Sequence, residues 1–148
     1  MSAFVTAGAG FLLAVLWFDL MFDVQVLGHP GGVLPEPVLA SIAGYYARVT
    51  TAARPMNRLI AAVMLATLAG IVVEIPNGTD AWVAWLSLAL GLGPIGLAGL
   101  RVVPSAVRLG TRRDAGDRQS ELARSIFREH VACAAGIAGL LVVQLSFA

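Results

Sequence analysis

The chain has no lysine, a single cysteine and little charge of either sign. Charged residues make up 13% of it, against roughly 25% in soluble domains, so water is not the main solvent for which this composition is suited. With Cys133 alone, no internal disulfide can form, and the redox compartment stays open. There is no C-x-x-C, H-x-x-x-H, phosphate loop, dinucleotide fingerprint, zinc-protease helix or hydrolase triad, which removes the standard zinc, nucleotide and hydrolase chemistries. No repeat or low-complexity tract stands out. The N-terminal stretch lacks the basic region and small-residue cleavage site of a secretory signal, so its apolar run is expected to stay as a helix.

What the sequence does have is apolar length. Hydrophobic residues make up 58% of the 148 positions, and the mean hydropathy is +0.82. Crossing the hydrocarbon takes about 20 largely apolar residues at ~1.5 Å each. Four segments qualify, over about 4–26, 57–75, 81–103 and 127–147. The fold expected is all-α: a single domain over 1–148, built as a membrane-embedded bundle of four transmembrane helices. Trp82 and Trp85 suit a membrane interface at the start of the third span. A tight turn over 76–80 would make the second and third helices antiparallel neighbours.

Between the first two spans, Gly28-His29-Pro30-Gly31-Gly32 breaks the chain, and a helical pattern follows near 37–54. Pro55 disfavours a straight continuation. Two outcomes fit: an interfacial helix followed by a break, or one long second helix kinked near Pro55. The second half of the 101–128 loop is expected to run as a helix into the fourth span.

Charge sets the expected orientation. Arg48, Arg54 and Arg58 flank the first long loop, and the other seven of ten arginines lie between 101 and 128. Arginine is retained on the cytoplasmic side, so both termini are expected outside, in a bacterial inner membrane. The 101–128 segment also carries Asp114, Asp117 and Glu121, and reads as a topology signal with no nucleic-acid partner.

Asp19 and Asp23 are the sharpest chemical feature. Four residues apart, they share one face of the first helix with Gly8, Leu12, Val15 and Phe22. A carboxylate in hydrocarbon costs several kcal/mol unless paired, and so tends to face the bundle interior. Asp19 is expected to lie deeper and Asp23 nearer the surface. The topology brings them toward Arg54, Asn57 and Arg58, and toward Arg128, Glu129 and His130, where an arginine–carboxylate pair would make the charge tolerable. For any single arginine, snorkelling to lipid headgroups is the plainer reading. His130 and Cys133 share a face of the fourth helix with Ile137 and Gln144, and histidine suits acid–base work. Glu74 and Gln144 read as interfacial ends on the opposite side; if both faced inward, they would outline a second polar patch across the membrane from the aspartates. Gly91, Gly93, Gly96 and Gly99 around Pro94 suggest close packing at a kink, and leave homo-oligomerisation through the third helix open.

The run Trp17-Phe18, Met21-Phe22 and His29, followed by an arginine-rich entry to the second helix, resembles HemJ-type and copper-resistance-type four-helix membrane proteins. The resemblance implies the architecture. The histidine that the HemJ-type pattern places about seven residues before the Trp-Phe pair falls on Gly10 here, so no ligand is carried over.

A polar pocket at the cytoplasmic side follows from this grouping. The expectation is a small membrane enzyme with Asp19, Asp23 and His130 as acid–base groups. Arg54, Asn57, Arg58, Trp17 and Tyr46 would position a lipophilic small molecule, and the reaction would be an isomerisation, cyclisation or hydrolysis. No cofactor or metal is expected, although a haem or metal site using His130, His29, Cys133 and the aspartates stays open. A non-catalytic membrane subunit and a small transporter are the rival function classes. Polar residues at the midplane are scarce for transport.

Overall fold

Long apolar runs with few breakers favour helices, because every backbone group must be satisfied within the membrane. The computed structural model describes residues 2–76 and 80–147. Its helices are α1 (Ser2–Asp23), α2 (Glu36–Tyr46), α3 (Arg54–Glu74), α4 (Ala81–Leu97), α5 (Val103–Gly110) and α6 (Gly116–Phe147). No strand occurs among the described residues. Four helical stretches, Ala3–Gly28, Arg54–Glu74, Ala81–Gly110 and Gly116–Phe147, are long and apolar enough to cross a bilayer. The protein is an all-α, multi-pass membrane protein. Residues 77–79 of the turn expected over 76–80 lie outside the described residues.

The spanning helices form a ring in which α1 packs on α3 and α6, and α4 closes the circle against the same two. Neighbours run antiparallel. A Cβ on Gly70 of α3 would meet Val5 near the start of α1, and one on Gly139 of α6 would meet Leu90 of α4. All ten arginines therefore belong to the end where α1 and α4 finish and α3 and α6 begin.

Prolines mark the helix starts. Pro37, Pro55 and Pro104 sit in the first turns of α2, α3 and α5, where a missing N–H breaks no helical bond. Of the two outcomes open near Pro55, the structure has the break and not one long kinked helix. A π turn, Ala47–Ala52, follows α2, and Ala53 leaves the helical region at φ −88°, ψ 56° before α3 begins. The third and fourth spans extend beyond their expected bounds. A second π turn, Ala98–Val102, carries α4 on into α5. α6 starts at Gly116, and its 32 residues cover about 48 Å at ~1.5 Å each, more than the hydrocarbon thickness.

That extra length builds a cap. α2, α5 and the first third of α6 cover the arginine-rich end with a buried cluster that includes Leu34, Leu39, Ile42, Leu109, Leu122 and Ile126. A second cluster, Val5, Ala9, Leu12, Ile71, Ile137 and Leu140, lies within the spanning bundle. Arg124 holds the cap's first loop, donating to the carbonyls of Gly32, His29 and Gly31 at 2.9–3.0 Å. Gly31 and Gly32 have φ +80° and +64°, a turn that side chains resist.

The glycines expected to pack closely do so only in part. A Cβ on Gly91 would come within 2.9 Å of Ile71, but Gly93, Gly96 and Gly99 have nothing within 4 Å. The tightest approaches between spans are elsewhere, at Gly8 against Thr67 and Gly136 against Pro94. Pro94 is thus accommodated by a glycine on the facing helix.

Candidate functional site

Between the two apolar clusters lies a layer of polar side chains. Asp19 and Asp23 project from the last two turns of α1, His130 from the middle of α6, and Tyr45 and Tyr46 from the end of α2. Tyr46 donates its hydroxyl to Asp23 Oδ1 at 2.6 Å, and Tyr45 donates to Asp19 Oδ1 at 2.6 Å. His130 Nδ1 is 2.6 Å from Asp23 Oδ2, and Tyr46 Oη is 3.4 Å from the same nitrogen. In the tautomer with Asp23 as acceptor, Nδ1 carries the hydrogen in that bond and Nε2 is the ring's remaining working atom. Nε2 lies 3.8 Å from Asp19 Oδ2, beyond direct hydrogen-bond reach.

The tyrosines are held as donors. Burial, and then the carboxylate each one meets, push both phenols far above the ordinary tyrosine value. Phe22 stacks on Tyr45 with centroids 4.1 Å apart, so α1 supplies both the acceptor and the surface that fixes the donor's ring.

A cavity of about 430 Å³ opens beside this layer. Its polar lining includes Asp19, Tyr45, Tyr46, His130, Asn57 and Thr50, while most of the wall is apolar, from Phe11 and Val15 through Ile60 and Met64 to Ile95 and Ile137. Asp23 is fully buried and does not line it.

Several expectations need correcting. Asp23, the last residue of α1, lies nearer the arginine-rich end than Asp19, but its side chain is 0% exposed and that of Asp19 is 14%. The cap formed by α2 closes over the end of α1 and buries the residue that would otherwise meet the headgroups. The arginines are not the partners of the carboxylates. Arg54, Arg58 and Arg128 are all exposed, and Tyr45, Tyr46 and His130 take that role. At about 100° per residue, Arg128 points away from the face carrying His130. Arg54 and Arg58 likewise share the outer face of α3, while Asn57 turns to the cavity and donates to Thr50 O at 3.0 Å. Trp17 is 68% exposed on the outside of α1, two residues and thus about 200° from Asp19. Of the expected site residues, the fold assembles Asp19, Asp23, His130 and Tyr46 and brings Asn57 to the wall. It leaves out Arg54, Arg58 and Trp17.

The metal site that the sequence left open is not assembled either. The carbonyl of His29 is bound by Arg124, and Cys133 Sγ donates to Pro94 O at 3.5 Å. Among the described residues no group of three or more His, Cys, Asp and Glu is placed to hold a metal ion. Tyr45 was missed as a site residue. Its position next to Tyr46, which was expected at the site, was the available signal.

Glu74 and Gln144, expected as interfacial ends, are instead 3% and 2% exposed. They face each other and Ser87 in the core, at the end of the bundle opposite the arginines.

No family model matches the chain, and no curated protein or solved structure matches it either.

Proposed function

We propose that this protein is a small membrane enzyme that moves protons on a lipophilic substrate held in the cavity, with His130 and Asp19 as its acid–base groups. The observation that carries this reading is the division of labour between the two aspartates. Asp23, sealed from the cavity, fixes the His130 ring through Nδ1, leaving Nε2 free to exchange a proton. Asp19 reaches the cavity wall beside it.

The chemistry suited to this pair is isomerisation or cyclisation, which leaves the substrate's formula unchanged. Asp19, in its acid form, gives a proton to one atom, and His130 Nε2 takes a proton from another. Transfer from Nε2 back to Asp19 through one water bridging the 3.8 Å gap restores both groups. Hydrolysis is less well served, because the polar wall offers no paired donors for an oxyanion.

With Asp19 in its acid form, the Asp23 carboxylate behind the imidazole gives the polar end a negative bias. It suits a substrate whose head donates a hydrogen bond, a hydroxyl or an amine, over a phosphate or carboxylate. Phe18 and Met56 line the cavity and are 60% and 49% exposed on the bundle's outer surface, which supports lateral entry from lipid between α1 and α3. With the arginine-rich end at the cytoplasmic face, the reaction takes place in the cytoplasmic leaflet.

Cavity blocking tests this reading. Ala14 is exposed, yet it lines the cavity, so Ala14→Trp can fill the space without displacing a packed neighbour. Solvent extracts of the purified wild type should contain a bound lipophile that the Ala14→Trp protein lacks. Identical extracts from both proteins would count against a ligand cavity.

A further inference from the structure

At the end of the bundle away from the arginines, Glu74 of α3, Ser87 of α4 and Gln144 of α6 meet in the core, each at most 3% exposed. Gln144 Nε2 lies 3.3 Å from Glu74 Oε2 and 3.0 Å from Ser87 Oγ. Two buried oxygens, Glu74 Oε1 and Gln144 Oε1, have no hydrogen-bond partner among the described residues. Leaving such atoms unsatisfied is costly, and a buried carboxylate with no counter-charge more so. No basic side chain is in reach by topology. The sequence has no lysine, and no arginine or histidine between Arg58 and Arg101 or after His130. Asp80, the other acid at this end, is exposed.

We propose that Glu74, Gln144 and Ser87 form a binding site for a small hard monovalent cation, of the size of sodium. All the free donors are oxygens, the ligands that hard cations select. A half-turn of the Gln144 amide exchanges its oxygen and nitrogen, and brings Oε1 to the position 3.3 Å and 3.0 Å from the other two oxygens. Hard cations bound at about 2.3–2.6 Å hold adjacent ligand oxygens roughly 3.0–3.5 Å apart, which matches that spacing. One carboxylate balances one positive charge, whereas a divalent ion would leave a net charge in the core. The ion would tie α3, α4 and α6 together where no ion pair among the described residues does so. This site is separate from the cavity at the other end and stands whatever that cavity holds.

The test is ion-specific thermal stability of the purified full-length protein in detergent, with sodium chloride replacing choline chloride at constant ionic strength. A cation that binds only the folded state raises the unfolding temperature as its concentration passes its Kd. The wild type should gain several degrees and then approach a shallow logarithmic rise. Glu74→Gln, which keeps the shape, should lose the sodium-dependent increment. Ser87→Ala should need at least threefold more sodium for the same gain. Equal unfolding temperatures of the wild type in the two salts would overturn the proposal, whether or not Glu74→Gln folds. So would an undiminished sodium increment in Glu74→Gln or in Ser87→Ala. Stabilisation by acidification alone, with no sodium dependence, would assign the site to a proton and overturn it as well.

Discussion

His130 Nδ1 and Asp23 Oδ2 lie 2.6 Å apart although 107 positions separate them in the chain, and their bond joins the first spanning helix to the last. With the hydroxyl of Tyr46 on the other carboxylate oxygen, Asp23 is satisfied on both sides without any exposure. Asp19, one turn earlier, has a single short partner and faces the cavity.

The two carboxylates should therefore separate stability from activity. Asp23→Ala removes the short acceptor of the His130 N–H and the Tyr46 hydroxyl, leaving these buried groups only each other at 3.4 Å, and should destabilise the fold by about 3–5 kcal/mol. Asp19→Asn keeps an acceptor for Tyr45 and should cost less than about 1.5 kcal/mol, while removing the carboxyl from the wall. Reversible unfolding in mixed micelles measures both. A larger loss for Asp19→Asn than for Asp23→Ala would contradict this arrangement.

Tyr46 offers a finer test. Tyr46→Phe removes one donor to a buried carboxylate with little change in volume, and should cost about 1.5–3 kcal/mol. In the double variant with Asp23→Ala the two losses should not add, because they share one bond. Additivity within about 0.5 kcal/mol would show that the hydroxyl and the carboxylate act separately.

The glycines make a contrast that composition hides. Gly136→Ala places a methyl group against Pro94 and should cost about 1–3 kcal/mol through overpacking. Gly93→Ala meets nothing within 4 Å and should be neutral, or stabilising by up to about 1 kcal/mol through helix propensity. Equal effects at the two sites would contradict the close contact between α4 and α6.

Orientation is tested by reporters. One fused after Ala148 should report outside, and one inserted near Ala115, in the turn between α5 and α6, should report inside. A cytoplasmic C-terminus would invert the placing of the arginine-rich end and move the proposed reaction to the other leaflet.

The fold is largely legible in the sequence because each span announces itself by length and hydropathy, and Pro55 marks a break. The cap is not: α5 looks like part of a charged loop when read locally, and the first third of α6, though expected as a helix, gives no local sign of the elements it packs on. Only the facing surfaces reveal Leu109, Leu122 and Ile126 as buried. In the site, the i, i+4 spacing of Asp19 and Asp23 and the shared face of His130 and Cys133 point inward, as found. The partners of the carboxylates are harder to see, because depth in the membrane says nothing of helical phase. Arg54, Arg58 and Arg128 lie near the right level but on outward faces. Tyrosine is easily overlooked where pairing is sought in opposite charge, yet a neutral phenol hydroxyl also donates a short hydrogen bond to a carboxylate. Depth misleads for Glu74 and Gln144 too. They stand near helix ends, but α3, α4 and α6 converge there and enclose them.

Proton transfer at a lipophilic substrate by His130 and Asp19 is tested most directly by isotope incorporation. Wild-type protein in nanodiscs is incubated with a total lipid extract from its native membrane in deuterium oxide, and the extract is surveyed by high-resolution mass spectrometry. At least one component should gain carbon-bound deuterium or convert to an isomer of the same formula with the wild type. His130→Gln and Asp19→Asn, folded and at equal concentration, should each slow that change at least a hundredfold, within the usual ~10²–10⁴ contribution of a general acid or base. A wild-type protein that leaves every component unchanged, or a His130→Gln variant that exchanges deuterium at the wild-type rate, would contradict the account.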